Sequence, residues 1–328
     1  MNSERAAPDR TRSRGSGACF YCVADTRFFL GAVGLVNSLR LVGHDEPVYL
    51  LDIGLTAEQR RLLEPEVTLV GGPPDTPPWL SKTVAPLAHP AETMVLIDVD
   101  MIVTRPLHDL FAEAAAGRVV AVEHGSDRFS PEWGSLLSLG ELRRRPYVCS
   151  GLVIVPRQPG EEILRLMDRL SDRVEIERTW FGRSEPDYPL LFPEQDILNA
   201  ILAGRVEEDR VLVIDRRLEP IPPFDGVTVL DDDSLRCELE DGSEPYLLHH
   251  YAVKPWLDET PDGPYSLLLR RLLGGDDVAI RVPEHEIPMR LRSGILARAL
   301  RERASGAGRF DAYLREPFAD LLRGRVRR

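Results

Sequence analysis

Apolar runs of strand length alternate with helix-length segments through the first 125 residues, and no other feature limits the possible folds as strongly. "ACFYCVAD" (18–25), "PVYLLDIG" (47–54), "VTLVGG" (67–72), "TMVLIDVDMIV" (93–103) and "VVAVEH" (119–124) read as buried strands. Between them, "RFFLGAVGLVNSLRLVG" reads as an amphipathic helix with Phe28, Ala32, Leu35 and Leu39 on one face. "TAEQRRLLEP" reads as a short helix with Thr56 at its N-cap and Gln59 completing a capping box, and "PLHDLFAEAAAG" as a third helix. The Pro-rich "GGPPDTPPWLSK" is a loop. Such alternation produces a mainly parallel sheet with helices on both faces, and ligands of open α/β sheets sit at the carboxyl ends of the strands.

Asp25, after the first strand, and the Asp98/Asp100 pair in "VLIDVDMIV" both fall at such ends. On a continuous strand, positions i and i+2 face the same side, so the pair would set two like charges together. That arrangement is costly without a compensating cation. Solvation of both carboxylates beyond the strand end is the plainer alternative.

The second half is less regular. "SDRFSPEWGSLLSLGELRRRP" (126–146) is too polar for core, and "YVCSGLVIVPR" is a strand. "PGEEILRLMDRLSDRVE" is an amphipathic helix. In "PEQDILNAILAG", Ile197, Leu198, Ile201 and Leu202 gather on one helical face and Gln195, Asp196 and Asn199 on the other. "PYLLHHYAVKPWL" is a strand ending in His249 and His250, followed by Lys254-Pro255-Trp256.

Charge and cysteine usage exclude several classes. A net charge of −12 argues against a general nucleic-acid binder. The segment from Met289 onward carries eleven arginines against four acidic residues, which suits peripheral contact with an anionic membrane or a solvated helical tail. No apolar run is long enough to span a bilayer, and the polar, basic first 17 residues read as a disordered tail rather than a secretory signal. Cys19, Cys22, Cys149 and Cys237 form no disulfide framework and read as core thiols, so the expected location is cytoplasmic. Lys82 and Lys254 are the only lysines in an arginine-rich chain, and each suits a place that needs a compact ammonium.

Taken in order, D-V-D, a strand with "CSG", "EQDILN" and "HHYAVKPW" resemble the family-8 glycosyltransferases, retaining enzymes of the GT-A fold that include glycogenin and lipooligosaccharide galactosyltransferases. "ADTRFFLGAVGLVNSL" and "VYLLDIGLT" resemble that family's opening segments, so the resemblance spans roughly residues 18–257. It implies a GT-A (Rossmann-like) mixed, mainly parallel sheet flanked by helices. Residues 18–125 would be the nucleotide-sugar-binding half and 126–257 the acceptor-binding half, followed by an extension over 258–328 that is basic from 289.

It also implies transfer of a hexose from a UDP-sugar, UDP-glucose or UDP-galactose, to a hydroxyl acceptor such as a glycan, lipid, peptide or small natural product. Alternatives are another nucleotide sugar, or binding without transfer. The cofactor implied is Mn²⁺ or Mg²⁺, held by Asp98, Asp100 and one of His249 and His250. Ala24, Asp25, Lys82, Val99, Ser150, Gly151 and Lys254 would join Asp98 and Asp100 in binding the donor. Gln195 and Asp196 would lie beneath the anomeric carbon, with Glu194 on sugar hydroxyls. Gln195 is a poor nucleophile, which favours attack from the leaving-group face. The chain departs from the pattern at Cys149, where the family usually has Asn against the donor sugar, and in the shorter stretch between the histidines and Lys254. Trp133 reads as a packing residue, with stacking on a sugar ring as the alternative.

Overall fold

A computed structural model of the chain describes residues 17–72, 77–251, 253–258 and 262–292. Residues 1–16 of the tail expected over 1–17, and most of the basic C-terminal segment, lie outside the described residues. Along the first half run β1 (Ala18–Ala24), α1 (Phe29–Leu41), β2 (Val48–Asp52), α2 (Ala57–Leu63), β3 (Thr68–Gly71), α3 (Val84–Ala88), β4 (Thr93–Ile97), β5 (Met101–Val103), α4 (His108–Ala115) and β6 (Val119–Glu123). The second half continues with α5 (Glu132–Leu136), β7 (Val148–Pro156), α6 (Arg157–Ser171), α7 (Pro193–Arg205), β8 (Val211–Ile214), β9 (Val227–Asp231), β10 (Arg236–Leu239), β11 (Leu247–His249) and α8 (Pro264–Gly274).

Seven strands form one sheet in the order β3-β2-β1-β4-β7-β6-β8. All its pairings are parallel except those of β7, which runs antiparallel to both β4 and β6. β1 lies between β2 and β4, so the chain leaves it toward opposite sides of the sheet. The carboxyl ends of β1 and β4 therefore border a crevice of the kind that receives ligands in open α/β sheets. Apolar side chains pack in two clusters, one centred on α1, α4 and α8, the other on α6 and α7. Thr56 caps α2 and Gln59 completes the capping box, as the sequence predicts.

Three expectations change. First, "VLIDVDMIV" is not one strand. β4 stops at Ile97, Asp98-Val99-Asp100 make a turn closed by the Met101 amide donating to the Asp98 carbonyl at 3.2 Å, and β5 starts afresh. A Cβ on Gly31 of α1 would meet the Val99 carbonyl oxygen at 2.6 Å, so the missing side chain lets the helix press on this turn. The carboxylates thus converge through a turn rather than through strand alternation.

Second, α1 is buried all round, from Phe29 to Leu39, because α8 covers the face turned away from the sheet. Asn37 joins the two: its amide donates to the Leu272 and Ile280 carbonyls and accepts from the Ile280 amide. Side chains of α8 and of Ile280, Val282, Ile287 and Leu291, within the expected extension, thus contribute to the core. Third, the stretch 126–146 also contributes core. Trp133 is 1% exposed, its indole donates to the Pro189 carbonyl at 2.6 Å, and Leu137 and Leu139 are buried with it.

Candidate active site

The crevice opens into a cleft of about 1090 Å³. All the site residues expected from sequence line it except Asp196 and His250. β4 and β1 deliver Asp98 and Asp25 at their carboxyl ends. β7 delivers Cys149, Ser150 and Gly151, and the first turn of α7 delivers Glu194 and Gln195. The short antiparallel pair of β5 and β11 sets His249 opposite Met101, the residue after Asp100.

That register gives the two histidines different surroundings. His249 Nε2 stands 3.4 Å from Asp100 Oδ1, and Asp98, Asp100 and His249 each offer a ligand atom within 4.8 Å of the others. Side chains alternate along the strand, so His250 faces the opposite way, against Phe224 and Tyr265. Burial among them, with Lys254 nearby, brings its pKa down to about 3.

Behind His249 stands Glu219, whose Oε1 is 2.7 Å from Nδ1. A carboxylate on one ring nitrogen fixes the tautomer and aims the other, the usual outer support of a metal-ligating imidazole. Sequence reasoning did not find Glu219. It lies in an irregular stretch, brought there by hydrogen bonds from the Tyr246 amide to the Leu218 carbonyl, 2.8 Å, and from the His249 amide to the Pro220 carbonyl, 3.0 Å.

The two lysines occupy the cleft as separate counter-charges. Lys82 Nζ is 2.5 Å from Asp98 Oδ1 and 3.0 Å from Glu194 Oε1, and donates to the Ser150 carbonyl at 3.2 Å. Burial disfavours its ammonium, but the two carboxylates outweigh that and raise its pKa. Glu194 is pushed up to about 7, chiefly by burial, against the pull of Lys82. Lys254 Nζ is 2.5 Å from Asp100 Oδ2 and donates to the His250 carbonyl at 2.6 Å. Burial raises the Asp100 pKa, yet Lys254 and His249 overcome this and hold it well below the carboxylate range. His249 is correspondingly raised, since Asp100 and Glu219 outweigh its burial.

Asp100 Oδ1 is among the buried side-chain atoms that accept no hydrogen bond, its nearest counter-charge being His249 Nε2 at 3.4 Å. Buried polar atoms are nearly always satisfied, so an exception asks for a ligand. Two carboxylates and an imidazole are a donor set for a hard divalent cation, and the residues present fit one.

The remaining expected residues are placed differently. Gln195 Oε1 accepts from the Ser150 amide at 3.2 Å, so its side chain borders the cleft beside β7. Asp196 is fully buried outside it. Arg128 grips it through Nε and Nη2 at 2.7 and 2.8 Å, Tyr147 donates to it at 2.7 Å, and the Phe192 amide donates at 2.8 Å. Helical spacing had grouped Asp196 with Gln195, but 100° per residue separates neighbours enough for Asp196 to turn under the helix. Asn199 bonds both the amide and the carbonyl of Val148, tying α7 to β7. Asp25 accepts from the amides of Arg27 and Phe28, a turn that starts α1.

Among the described residues no helix is long and apolar enough to cross a membrane. No family model and no curated protein matches the chain. Solved structures do. One structure of LgtC, an active-site mutant, matches with a TM-score of 0.51 at 15% identity, covering 81% of this chain and 98% of that one. A second, of the galactosyltransferase LgtC in complex with donor and acceptor sugar analogues, matches with the same score and coverage at 14% identity. The bifunctional glycosyltransferase WbbM matches with a TM-score of 0.51 at 17% identity, over 80% of this chain and 50% of that one. At such identities the likeness is one of architecture, and the chain has the GT-A glycosyltransferase fold.

Proposed function

We propose that the protein is a metal-dependent glycosyltransferase that moves a hexose from a UDP-sugar, UDP-glucose or UDP-galactose, to a hydroxyl acceptor with retention. The observation that carries this reading is the convergence of Asp98, Asp100 and His249 at the cleft, each offering a ligand atom within 4.8 Å of the others. Asp98, Asp100 and His249 would hold Mn²⁺ or Mg²⁺, which when bound supplies Lewis-acid stabilisation of charge on a diphosphate leaving group.

The chain's own groups account for the rest. Lys82 and Lys254, held by carboxylates within the cleft, can shift onto phosphate oxygens as negative charge develops there. Asp25, Ala24 and Val99 border the nucleotide end, and Ser150, Gly151 and Glu194 the sugar end. The neutral amide of Gln195 is poorly suited to forming a glycosyl-enzyme bond, and Asp196 does not reach the cleft. This favours attack by the acceptor hydroxyl from the leaving-group face, with its proton passing to the departing diphosphate. Residues 18–125 then act as the donor-binding half and 126–257 as the acceptor-binding half.

The test is release of UDP from a panel of UDP-sugars with Mn²⁺ and no acceptor. Slow hydrolysis of one donor, abolished by chelator and by Asp100→Ala, is expected. Turnover that is indifferent to both contradicts the reading.

A further inference from the structure

The imidazole of His249 belongs to a second donor set besides the Asp98/Asp100 pair. Cys149, Glu219 and His249 also offer one ligand atom each within 4.8 Å of one another. All three line the cleft. Glu219 has a side chain only 4% exposed. Its Oε1 faces His249 Nδ1, while its Oε2 is buried with no hydrogen-bond partner. Cys149 is free, half-buried, and hydrogen-bonded to His249. Gly151, two residues along β7 on the same face, keeps the space open: a Cβ there would meet His249 Cε1 at 2.8 Å.

The two sets differ in chemistry. Asp98, Asp100 and His249 present two oxygens and a nitrogen, suited to Mg²⁺ or Mn²⁺. Cys149, Glu219 and His249 present sulfur, oxygen and nitrogen, the mixture preferred by zinc and its softer congener cadmium.

We propose that Cys149, Glu219 and His249 form a second cation site, for a thiophilic divalent ion of the zinc type, that takes His249 from the carboxylate pair. Binding releases to solvent both the thiol proton of Cys149 and the proton that the neighbouring carboxylates hold on His249, as the sulfur–metal and nitrogen–metal bonds form, with no change of oxidation state. The ligand set needs only these three side chains. Its consequence for transfer rests on the function proposed above: an imidazole engaged by zinc no longer completes the Asp98/Asp100 set, so zinc inhibits.

The experiment uses the full-length protein and Cd²⁺ alone, read by the ultraviolet sulfur-to-cadmium charge-transfer band. Wild type is expected to develop the band to saturation at one equivalent, and Zn²⁺ to remove it by competition. Cys149→Ser, near-isosteric and checked for an unchanged melting temperature, should lose the band. Glu219→Gln and His249→Gln should each weaken Cd²⁺ binding by about tenfold or more. Absence of the band in wild type overturns the proposal. So does a band that survives Cys149→Ser, which would belong to Cys19, Cys22 or Cys237. Unchanged affinity in His249→Gln overturns the sharing of the imidazole. None of these readouts needs a donor sugar, so they stand apart from success or failure of the transferase assay.

Discussion

Asp196 separates a structural role from a chemical one. It accepts four hydrogen bonds, two from Arg128, one from the Tyr147 hydroxyl and one from the Phe192 amide, and none from the cleft. Asp196→Ala leaves a guanidinium that is only 18% exposed without its counter-charge, and a buried hydroxyl and amide without an acceptor. Breaking a buried pair from one side costs about 3–5 kcal/mol. At ~2 °C per kcal/mol for a chain of this size, the melting temperature should fall by roughly 6–10 °C. Arg128→Ala should cost a similar amount, because the carboxylate is then the orphan. The double variant should fall short of the sum by about 1–3 kcal/mol, since the second change removes an interaction already lost. Thermal and urea unfolding of the three variants measure this directly. Gln195→Ala, which gives up one bond to the Ser150 amide, should melt within a few degrees of wild type while losing UDP release. The reasoning is refuted if Asp196→Asn keeps the wild-type melting temperature yet abolishes turnover, for Asp196 would then act on the reaction.

Three further perturbations follow from the site. Lys254→Met should destabilise the protein by about 3–5 kcal/mol by leaving Asp100 buried without its ammonium, and Mn²⁺ should restore part of the loss, measured as a melting-temperature rise greater than in wild type. Gly151→Ala should cost about 1–3 kcal/mol by overpacking Met101 and His249, and should weaken Mn²⁺-dependent UDP binding in calorimetry. His124, 2.9 Å from the Ser126 hydroxyl, has its pKa lowered to about 4 by burial and by His249, Arg216 and Arg128. As pH falls the unfolded chain takes up this proton first, so the contribution is complete above pH ~6.5 and declines toward pH ~4, about 3 kcal/mol in all. His124→Gln should flatten that part of the urea-midpoint profile.

The fold was largely legible because hydrophobic periodicity reports which face of an element is buried, and the first half alternates cleanly. It misled where burial is two-sided. α1 reads as amphipathic, yet α8 covers its outer face, and no local pattern announces a partner more than 220 residues away. Asp98, Asp100, Lys82 and Lys254 could be singled out because their types are costly or rare where they occur, and the cleft gathers all four. Glu219 could not, because it lies in an irregular stretch held beside β11 by the Tyr246 and His249 amides, a placement that no spacing in the sequence announces. Helical spacing and the family resemblance grouped Asp196 with Gln195, and rotation along the helix puts the two in different environments. His249 and His250 were inseparable until the β5–β11 register gave each a face.

The central claim is that Asp98, Asp100 and His249 bind a divalent cation together with a UDP-sugar. The most direct measurement is a calorimetric titration of UDP-glucose and UDP-galactose into wild type and Asp100→Ala, with and without Mn²⁺. The account predicts binding of at least one donor by wild type that requires Mn²⁺ and is lost in the variant. Binding of equal strength without metal or in Asp100→Ala, or no binding of either donor under any condition, would contradict it.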